Sequence, residues 1–406
     1  MNLPKTWSLV ALGDIAAHEK GAIRRGPFGG SLKKEIFVES GFKVYEQQNA
    51  IKDDFQIGNY FIDEDKFREM EGFNVKPHDL IISCAGTIGK VAIVPYEALP
   101  GVINQALMRI RPNPEIILCR YLKWLLESPK YQRDIFGKSA GSALKNLAAI
   151  SEIKKCKIPL PPLEEQRRIA AILDKADGVR RKRKEAIRLT EELLRSTFLE
   201  MFGDPVTNPK GWEVKRLGEI CTNFQNGIGK NSEHYGHGSK VANISDLYEW
   251  HRFIPEKYSL LDVTPKEIEK YSLMRGDLLF VRSSVKREGV AVCSVYDSDE
   301  ICLFSSFMIR VRPRTDLINP EFLSLMLRTP PMRNRLILGS NTSTITNISQ
   351  PGLSKIEVVV PPIKTQNLIT KVTKNIEESV RCHLQALEQS ENLFNSLLQR
   401  AFRGEL

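Results

Sequence analysis

The sequence contains an internal duplication, and this feature constrains the fold more than any other. Three motif pairs recur in the same order at spacings of 205, 201 and 200 residues: Pro4-Lys5-Thr6-Trp7 with Pro209-Lys210-Gly211-Trp212, Arg109-Ile110-Arg111-Pro112 with Arg310-Val311-Arg312-Pro313, and Leu160-Pro161-Pro162 with Val360-Pro361-Pro362. The small decrease in spacing indicates short insertions or deletions within an unchanged order of elements. The chain of 406 residues is therefore predicted to fold as two copies of one unit.

Each copy ends in a long segment with the pattern of an amphipathic helix. Residues 160–205 begin with Pro161 and Pro162 and then lack proline until Pro205. Apolar residues recur at helical spacing through this segment, and prolines are tolerated in the first turn of a helix. Such a helix would span roughly 60 Å, which is too long for one globular core. Residues 363–402 carry the same apolar phase and predict a second helix of the same kind.

The two helices are predicted to pair, because an apolar stripe of this length has to be covered along its whole extent. Equivalent surfaces of a duplicated chain pair most simply about a two-fold axis, which predicts an antiparallel pair with one globular domain at each end. Polar residues at equivalent positions of the stripe, Arg183 with His383 and Thr190 with Ser390, either fix the alignment or lie at its edge. The residues assigned to the pairing stripe are Ile169, Leu173, Ala176, Ile187, Leu194, Ile369, Ile376, Val380, Leu387 and Phe394.

The remaining segments predict an α+β fold for each globular domain. Short β-rich runs occupy residues 79–84, 91–95 and 106–111 in the first copy and 277–282, 290–295 and 306–312 in the second. A helix is predicted at 119–127 and again at 320–328, each followed by a polar loop. The predicted order is a first domain at 1–159, a central spacer helix at 160–203, a second domain at 204–360 and a C-terminal spacer helix at 361–406.

Composition limits the class of protein. The net charge of +10 and the pI of about 9.1 permit a polyanionic partner without requiring one. The seven cysteines are scattered and form no Cys-x-x-Cys pair, which predicts reduced thiols. No run of eighteen apolar residues occurs, and the first residues lack the apolar core of a signal peptide. These features predict a cytoplasmic protein without a membrane partner.

The sequence lacks a convincing catalytic or metal-binding motif. Gly86-Thr87-Ile88-Gly89-Lys90 resembles a phosphate loop only in part, because the first glycine is missing and Val91 stands where Ser or Thr is required. His234 and His237 have no third ligand nearby, which favours a solvated loop over a metal site. The pattern of an amino-methyltransferase active site is also missing. We therefore predict no catalysis and no bound metal in this chain.

What remains is a set of loops rich in side chains that contact nucleic acid. Arg and Lys bind phosphates or guanine edges, and Asn, Gln and Ser pair with adenine or with backbone oxygens. Taken singly, each residue is better explained as an ordinary solvated one, but their matched positions predict one scaffold with two different reading surfaces. The candidates are Arg24, Arg25, Lys33 and Lys34 with Asn226, Lys230 and Asn231; Thr87 and Lys90 with Arg282, Ser283, Ser284, Lys286 and Arg287; and Ser139, Ser142, Lys145 and Asn146 with Asn341, Thr344 and Asn347.

The densest basic run, residues 180–184, lies in the middle of the first predicted long helix. Acidic residues flank it on both sides, including Asp174, Asp177 and Glu185. This pattern favours a solvated helix face over an arm that binds nucleic acid.

With these motifs assembled, the chain resembles the specificity subunits of Type I restriction-modification systems over essentially its whole length. The resemblance rests on Asp79-Leu80-Ile81-Ile82-Ser83 with Gly86-Thr87-Ile88-Gly89-Lys90, on Ile103-Asn104-Gln105-Ala106-Leu107 leading to Arg109-Ile110-Arg111-Pro112, and on Ile158-Pro159-Leu160-Pro161-Pro162-Leu163-Glu164-Glu165-Gln166. The second copy departs from this pattern, since Arg282-Ser283-Ser284 replaces the Gly-Thr stretch and Pro361-Pro362-Ile363-Lys364-Thr365-Gln366 lacks the pair of glutamates. The departures argue against a shared base preference of the two domains.

The resemblance implies a subunit without catalytic activity. Its two target-recognition domains would bind double-stranded DNA, one half-site each. Two modification subunits that methylate adenine would bind to it, and restriction subunits with motor and nuclease activity would join them. S-adenosylmethionine, ATP and magnesium would then belong to those partners, and none to this chain.

Three other readings use the same features. A two-lobed methyltransferase or nuclease that acts alone would need cofactor motifs that the sequence lacks. A scaffold that only dimerises through its long helices would show no sequence-specific DNA binding. The reading subunit of a fused restriction-methylation system of the Type IIB kind would share the whole architecture.

Overall fold

The chain divides into two compact units. Unit 1 comprises Met1–Lys184 and Gln385–Leu406, and unit 2 comprises Glu185–Leu384. The computed structural model describes residues 3–28, 30–136, 149–255, 258–339, 341–342 and 346–406. Within these residues, no helix is both long enough and apolar enough to cross a membrane.

Unit 1 is built from short strands and helices that lead into the first long helix. Its strands are β1 (Ser8–Ala11), β2 (Ile23–Arg25), β3 (Phe42–Tyr45), β4 (Phe61–Ile62), β5 (Leu80–Ser83), β6 (Val91–Ile93), β7 (Gly101–Ile103), β8 (Leu107–Ile110) and β9 (Lys157–Leu160). Its helices are α1 (Gln47–Lys52), α2 (Glu64–Glu69), α3 (Cys119–Glu127), α4 (Pro129–Tyr131), α5 (Ile150–Lys155) and the start of α6 (Leu163–Phe202), with short 3-10 turns at Leu12–Ile15, Lys34–Ile36 and Glu71–Phe73 and a π-turn at Gln132–Phe136.

Two sheets form the body of unit 1. The larger has the order β2-β8-β5-β6, and each neighbouring pair is antiparallel. The smaller has the order β4-β3-β7, in which β3 and β7 run parallel. The central strands β5 and β8 are buried along their whole length, and Leu80 and Met108 share a core with Leu122 of α3. The larger sheet therefore forms a rigid base for the loops at its edge.

Unit 2 contains the corresponding elements. Its strands are β10 (Glu213–Arg216), β11 (Cys221–Asn226), β12 (Tyr235–Ala242), β13 (Arg252–Phe253), β14 (Ser259–Leu261), β15 (Leu278–Val281), β16 (Ser283–Ser284), β17 (Cys293–Tyr296), β18 (Leu303–Phe304), β19 (Met308–Pro313), β20 (Asn341–Thr342), β21 (Thr346–Asn347) and β22 (Glu357–Val360). Its helices are α7 (Leu217–Ile220), α8 (Asp246–Glu249), α9 (Pro265–Tyr271), α10 (Pro320–Arg328), α11 (Pro330–Leu338), α12 (Gln350–Ser354) and the start of α13 (Ile363–Ala401), with 3-10 turns at Ser232–His234 and Arg287–Gly289.

The sheets of unit 2 repeat those of unit 1. The larger sheet has the order β11-β19-β15-β17-β13, and its first four strands correspond to β2-β8-β5-β6. The strand β13 adds a parallel edge, and the smaller sheet β14-β12-β18 corresponds to β4-β3-β7. The predicted α+β class is confirmed, with two copies of one architecture.

Two local predictions are wrong. The strand expected at 290–295 begins only at Cys293, because Ala291 has a φ of 53° and lies in the turn that precedes the strand. The polar loop expected after 320–328 is largely the helix α11, which starts one residue after Thr329. A proline in the first turn starts that helix, since its missing N–H has no partner there in any case.

Side-chain burial repeats along the two long helices at a spacing of 200 residues. Over 181–190 and 381–390 the succession of exposed and half-buried positions is identical. The hydroxyls of Thr190 and Ser390 donate to the carbonyls of Ala186 (2.7 Å) and Ala386 (2.6 Å), four residues back on their own helices. These hydroxyls are therefore satisfied within one helix and need no partner on the other.

Each unit buries opposite ends of the two helices. In unit 1, Leu173 of α6 shares a core with Phe394 of α13, and in unit 2, Leu194 of α6 shares a core with Ile376 of α13. This exchange of ends is the antiparallel arrangement expected from the duplication. Of the other residues assigned to the stripe, Ile169, Ile369 and Val380 are buried, and Ala176, Ile187 and Leu387 are half-buried.

A glycine in the left-handed backbone region follows each long helix and lies against a proline. α6 ends at Phe202, directly before Gly203, and α13 ends at Ala401, three residues before Gly404. Gly203 and Gly404 have φ values of 77° and 74°, in the left-handed region that favours glycine at a helix C-terminus. A Cβ on Gly203 would lie 2.8 Å from Cγ of Pro209, and one on Gly404 would lie 2.4 Å from Cγ of Pro4. The last residues of unit 1 therefore meet its first residues in the way that Gly203 meets Pro209 in unit 2.

These contacts predict opposite effects for two glycine-to-alanine substitutions. Gly203→Ala should lower the free energy of unfolding by about 1–3 kcal/mol, because it combines a left-handed backbone with a clash against Pro209. Gly178→Ala, in the middle of α6, should raise it by about 1 kcal/mol, because no atom lies within 4 Å of the added Cβ. Thermal unfolding of both variants measures the difference, and an equal effect of the two would contradict this account.

Candidate nucleic-acid interface

In unit 1, two loops that carry predicted contact residues leave the larger sheet at the same edge. Arg25, the last residue of β2, and Ile82, near the end of β5, are both paired with Met108 of the intervening strand β8. Since β2 and β5 flank β8 in the same direction, their following loops emerge together. These loops carry Lys33 and Lys34 on one side and Thr87 and Lys90 on the other.

The same geometry recurs in unit 2. Asn226, the last residue of β11, and Phe280, near the end of β15, are both paired with Ile309 of β19. The residues that follow these strands in the sequence therefore meet at one edge of the sheet. The matched positions inferred from the sequence thus correspond to matched positions in the fold.

Three predicted residues from distant parts of unit 2 line one pocket of about 250 Å³. They are Asn226, Arg282 and Asn347, and the segment 348–351 completes the wall. The backbone N–H of Ile348 donates to the carbonyl of Arg282 (3.0 Å), and Ser283 and Ser284 pair with Asn347 and Thr346 in a short ladder. The pocket therefore presents a guanidinium and the side-chain amides of Asn226, Asn347 and Gln350 on a hydrogen-bonded framework.

Several of the predicted residues make contacts within the protein. Nη1 of Arg282 donates to the carbonyl of Ser306 (3.3 Å), and Oδ1 of Asn347 accepts from Oγ of Ser283 (2.5 Å). Nζ of Lys230 binds Oε2 of Glu267 (2.8 Å) and the carbonyl of Asp262 (2.9 Å), with the side chain largely buried. The guanidinium of Arg24 lies over the ring of Phe73, 4.3 Å from its centre. Lys230 and Arg24 would each have to leave these contacts to reach a ligand.

The predicted residues other than Arg24 and Lys230 differ in their exposure. Those that are exposed in the structure are Lys33, Lys34, Thr87, Lys90, Asn231, Lys286, Arg287 and Asn347, whereas Arg25, Asn226, Arg282, Ser283 and Ser284 are half-buried. Asn341 lies in the strand β20. Ser139, Ser142, Lys145, Asn146 and Thr344 lie outside the described residues.

Two exposed apolar side chains on the same loops were not predicted from the sequence. Phe28 is 89% exposed and follows β2, and Val285 is 83% exposed and follows β16. An apolar residue in a loop of glycines or charged residues has no core to pack into. This sequence pattern could have identified both residues as candidates. Apolar groups in such places can contact thymine methyl groups or base faces.

The repeated Arg-x-Arg-Pro and Asp-Leu motifs have a structural role. Asp79 is 1% exposed, and both of its carboxylate oxygens accept hydrogen bonds from Arg111 at 2.7 Å. In unit 2, Asp277 is 1% exposed and accepts from Arg312 at 2.7 and 2.8 Å. These pairs join two neighbouring strands of each larger sheet. Their carboxylates are buried, whereas the side chain of Arg312 is 29% exposed.

The first arginine of each motif is buried as well. Arg109 is 1% exposed and donates to the carbonyl of Gly21 (2.7 Å), and Arg310 is 2% exposed and donates to that of Ser272 (2.7 Å). Burial lowers the pKa of Arg109 to about 10. Burial also tends to lower the pKa of Arg111, but the hydrogen bonds and the charge of Asp79 raise this pKa above its ordinary value.

Three of the five cations in the basic run at 180–184 form ion pairs along the helices of unit 1. Arg180 and Arg181 pair with Asp177 at 2.5 and 2.9 Å, and Lys184 pairs with Glu391 of α13 at 2.9 Å. The guanidinium of Arg180 also lies 4.3 Å from the ring centre of Phe394. This placement agrees with a helix face balanced by its own acids.

The described residues offer no metal centre, since no group of three or more His, Cys, Asp or Glu side chains is placed to hold an ion. The segment 86–90 is a turn between β5 and β6, held by a hydrogen bond from Ser83 Oγ to the carbonyl of Thr87 (2.6 Å). A phosphate loop would require a following helix, and here a strand follows.

Fold and site together define a class: a duplicated α+β protein whose two domains are joined to long paired helices and carry different polar loops at equivalent edges. The chain belongs to the family described as the Type I restriction modification DNA specificity domain, which matches residues 4–189 and 209–390. The resemblance inferred from the repeated motifs is confirmed.

The chain is similar to curated relatives over most of their length. The chain is 26% identical to the specificity subunit of the Type I restriction enzyme EcoKI of Escherichia coli strain K12, covering 90% of this chain and 85% of that subunit. It is 21% identical to the specificity subunit of the Type I restriction enzyme MjaVIII of Methanocaldococcus jannaschii, covering 100% and 94%.

Solved structures share the fold. One chain from a study of the assembly and conformational transition of a type I restriction-modification system superposes with a TM-score of 0.57 at 21% identity, covering 100% of both chains. The S subunit of a Type I system from M. genitalium gives a TM-score of 0.54 at 15% identity, covering 99% of this chain and 96% of that one.

The buried pair beneath the loops of unit 1 leads to a prediction about stability. Arg111→Met should lower the free energy of unfolding by about 3–5 kcal/mol, because Asp79 would remain buried without its partner. Arg188→Met should leave it nearly unchanged, because the pairs of Arg188 with Glu185 and Glu192 are exposed. Calorimetric unfolding compares the two, and a small effect of Arg111→Met would refute the role given to the pair.

Proposed function

We propose that this chain is the DNA-binding specificity subunit of a Type I restriction-modification complex. It reads a bipartite, asymmetric target with one domain for each half-site, and it directs adenine methylation and restriction by partner subunits. Membership of the family and the similarity to named specificity subunits support this proposal. The observation that carries it furthest is the convergence of Asn226, Arg282 and Asn347 in one pocket of unit 2.

The chemistry of that pocket suits base edges in the major groove. A guanidinium can donate two hydrogen bonds to O6 and N7 of guanine, and a side-chain amide can pair with N6 and N7 of adenine. The exposed cations Lys286 and Arg287 follow on the same loop and can bind the neighbouring phosphates. One edge of the domain thus offers both base-reading and backbone-binding groups.

Unit 1 carries different side chains at the equivalent edge. Arg25 takes the place of Asn226, and the loop after β5 carries Thr87 and Lys90 where unit 2 has Arg282 and two serines. Two domains with different side chains read different sequences, which makes an asymmetric target the natural one.

Catalysis belongs to the partner subunits in this proposal. Two modification subunits methylate adenine with S-adenosylmethionine, and restriction subunits use ATP and magnesium. Because a base must leave the stack before it can be methylated, the target adenines lie where a partner can reach them beside the bases that this chain reads. DNA and these subunits are the partners that we assign.

The long helices act as a ruler in this scheme. They hold the two reading domains apart, and their length sets the number of unread base pairs between the half-sites. This role explains why helices of 40 and 39 residues are retained in a chain whose domains need only short ones.

Arg282→Ala provides a test of the reading surface. In complex with its modification partners, this variant should bind the target about 1–3 kcal/mol more weakly and lose discrimination at one half-site only. Arg275→Ala is the matched control, because Arg275 precedes the same strand β15 at its opposite end and pairs with Asp299. Gel-shift titration against targets with single base changes measures both, and loss of discrimination in both half-sites would contradict one domain per half-site.

Lengthening both helices provides a test of the ruler. Four residues inserted after Glu185 and after Gln385 should lengthen the preferred spacer by roughly one or two base pairs, because a helical turn is about 5.4 Å and a base-pair step about 3.4 Å. Four residues inserted after Glu97, in the exposed loop between β6 and β7, should leave the spacer unchanged. Mapping of methylated adenines in cells reads the spacer, and the same spacer in all three proteins would refute the ruler.

A further inference from the structure

Gln166, in the first turn of α6, is fully buried and links three elements of unit 1. Its Nε2 donates to the backbone carbonyls of Ile116 (3.0 Å) and Pro161 (2.9 Å), and its Oε1 accepts from the backbone N–H of Leu118 (2.8 Å). Leu118 directly precedes α3, and Pro161 directly follows β9. One side chain therefore ties the long helix to the exit of a strand and to the start of a domain helix.

Gln366 makes the same contacts in unit 2. It is fully buried in the first turn of α13. Its Nε2 donates to the carbonyls of Leu317 (3.1 Å) and Pro361 (2.6 Å), and its Oε1 accepts from the N–H of Asn319 (2.7 Å). Asn319 directly precedes α10, the counterpart of α3. The two domains differ in their loops, but they are attached to their helices by one and the same set of hydrogen bonds.

Burial alone does not call for glutamine at these positions. An apolar side chain of the same length would fill the space, but it would leave the N–H of Leu118 and the carbonyls of Ile116 and Pro161 without these hydrogen bonds. The amide also restricts the orientation of the helix, because its hydrogen bonds are strong only within a narrow range of distance and angle. Both N–H groups and the carbonyl oxygen are used at each site, which fixes the helix in rotation as well as in position.

A second tie follows further along each helix. In unit 1, Nε1 of Trp124 on α3 donates to Asp174 (2.9 Å), and in unit 2, Nε1 of Trp250 donates to Glu377 (2.8 Å). These carboxylates lie about 12 and 16 Å along the helices from Gln166 and Gln366, at 1.5 Å per residue. Two hydrogen-bonded sites that lie apart on a helix define its direction relative to the domain. The glutamine forms the site at the N-terminus of the helix.

A small rotation of the domain about the N-terminus of its long helix would have a large effect on DNA spacing. A domain of about 150 residues has a radius of gyration of about 15 Å. A rotation of about 13° at its base would move a loop by about 3.4 Å, which is one base-pair step. The angle between domain and helix thus matters as much for spacing as the length of the helix.

We propose that Gln166 and Gln366 are positioning residues that fix the angle of each reading domain on its long helix, and that this angle limits the DNA spacer lengths which the protein accepts. The inference rests on the proposed function, because spacer length has meaning only if both domains bind one DNA. Spacer length would then have a second determinant besides helix length, located at the N-terminus of each long helix.

The test compares Gln166→Met with Tyr45→Phe in the complex with the modification partners. Tyr45→Phe removes another buried hydrogen bond of the same unit, from the Tyr45 hydroxyl to the carbonyl of Leu99 (2.6 Å), without touching α6. The readout is the ratio of affinities for 40-bp duplexes that carry the native spacer and a spacer changed by one base pair. The base preference within each half-site is measured on the same duplexes.

We expect Gln166→Met to lower this ratio about three- to tenfold while the base preferences persist. The reason is that the loss of one hydrogen bond changes an equilibrium constant by a factor of about 2–10. Gln366→Met should act alike, and Tyr45→Phe should leave the ratio unchanged even if it lowers the melting temperature. Should Gln166→Met fail to fold, Gln166→Glu, which keeps the acceptor for Leu118, takes its place.

An unchanged ratio in Gln166→Met and Gln366→Met would overturn the inference and leave the proposed function intact. An equal change in Tyr45→Phe would overturn it too, because the effect would then follow stability alone. A wild-type complex without preference for any spacer, or without specific binding, would overturn the proposed function itself.

Discussion

The structure depends on one constraint: two amphipathic helices of 40 and 39 residues must have their apolar stripes covered. A single domain of this size cannot cover such a length, so each helix is shared between units 1 and 2. Leu173 and Phe394 are buried in one core, and Leu194 and Ile376 in the other. Unit 1 therefore includes residues 385–406 of the second repeat, and unit 2 includes residues 185–202 of α6 from the first repeat.

The duplication separates two kinds of residue. Those that are identical in both copies hold the scaffold together, as the pairs of Asp79 with Arg111 and Asp277 with Arg312 do inside the two sheets. Those that differ at matched positions stand at the edge of the sheet, as Arg25 and Asn226 do. An identical residue in a repeat is thus no evidence of ligand binding, since Arg109, Arg111 and Arg310 of the repeated Arg-x-Arg-Pro motif are buried and Arg312 is half-buried.

The sequence was sufficient for features that depend on periodicity, and insufficient for those that depend on distant contacts. The long helices follow from a stripe that persists for many turns, and their predicted bounds differ from the observed ones by a few residues at most. The start of β17 depends on the turn at Ala291, whose backbone conformation is unusual for alanine. The ion pair of Lys230 with Glu267 could not be predicted either, because β12 and β14 bring the two residues together only after folding.

The net charge of +10 is a poor guide to where a polyanion would bind. Arg180, Arg181 and Lys184 of the densest basic run pair with Asp177 and Glu391. Arg109 and Arg310 are buried and donate to the carbonyls of Gly21 and Ser272. Charges that are paired or buried contribute little to the release of counterions from DNA. Exposed cations such as Lys33, Lys34, Lys286 and Arg287 stand on loops at the sheet edges, where amides and hydroxyls such as those of Asn347 and Ser284 also lie. The separation of a charge-balanced scaffold from polar loops lets the loops vary between the two repeats while the helices and their attachment stay the same.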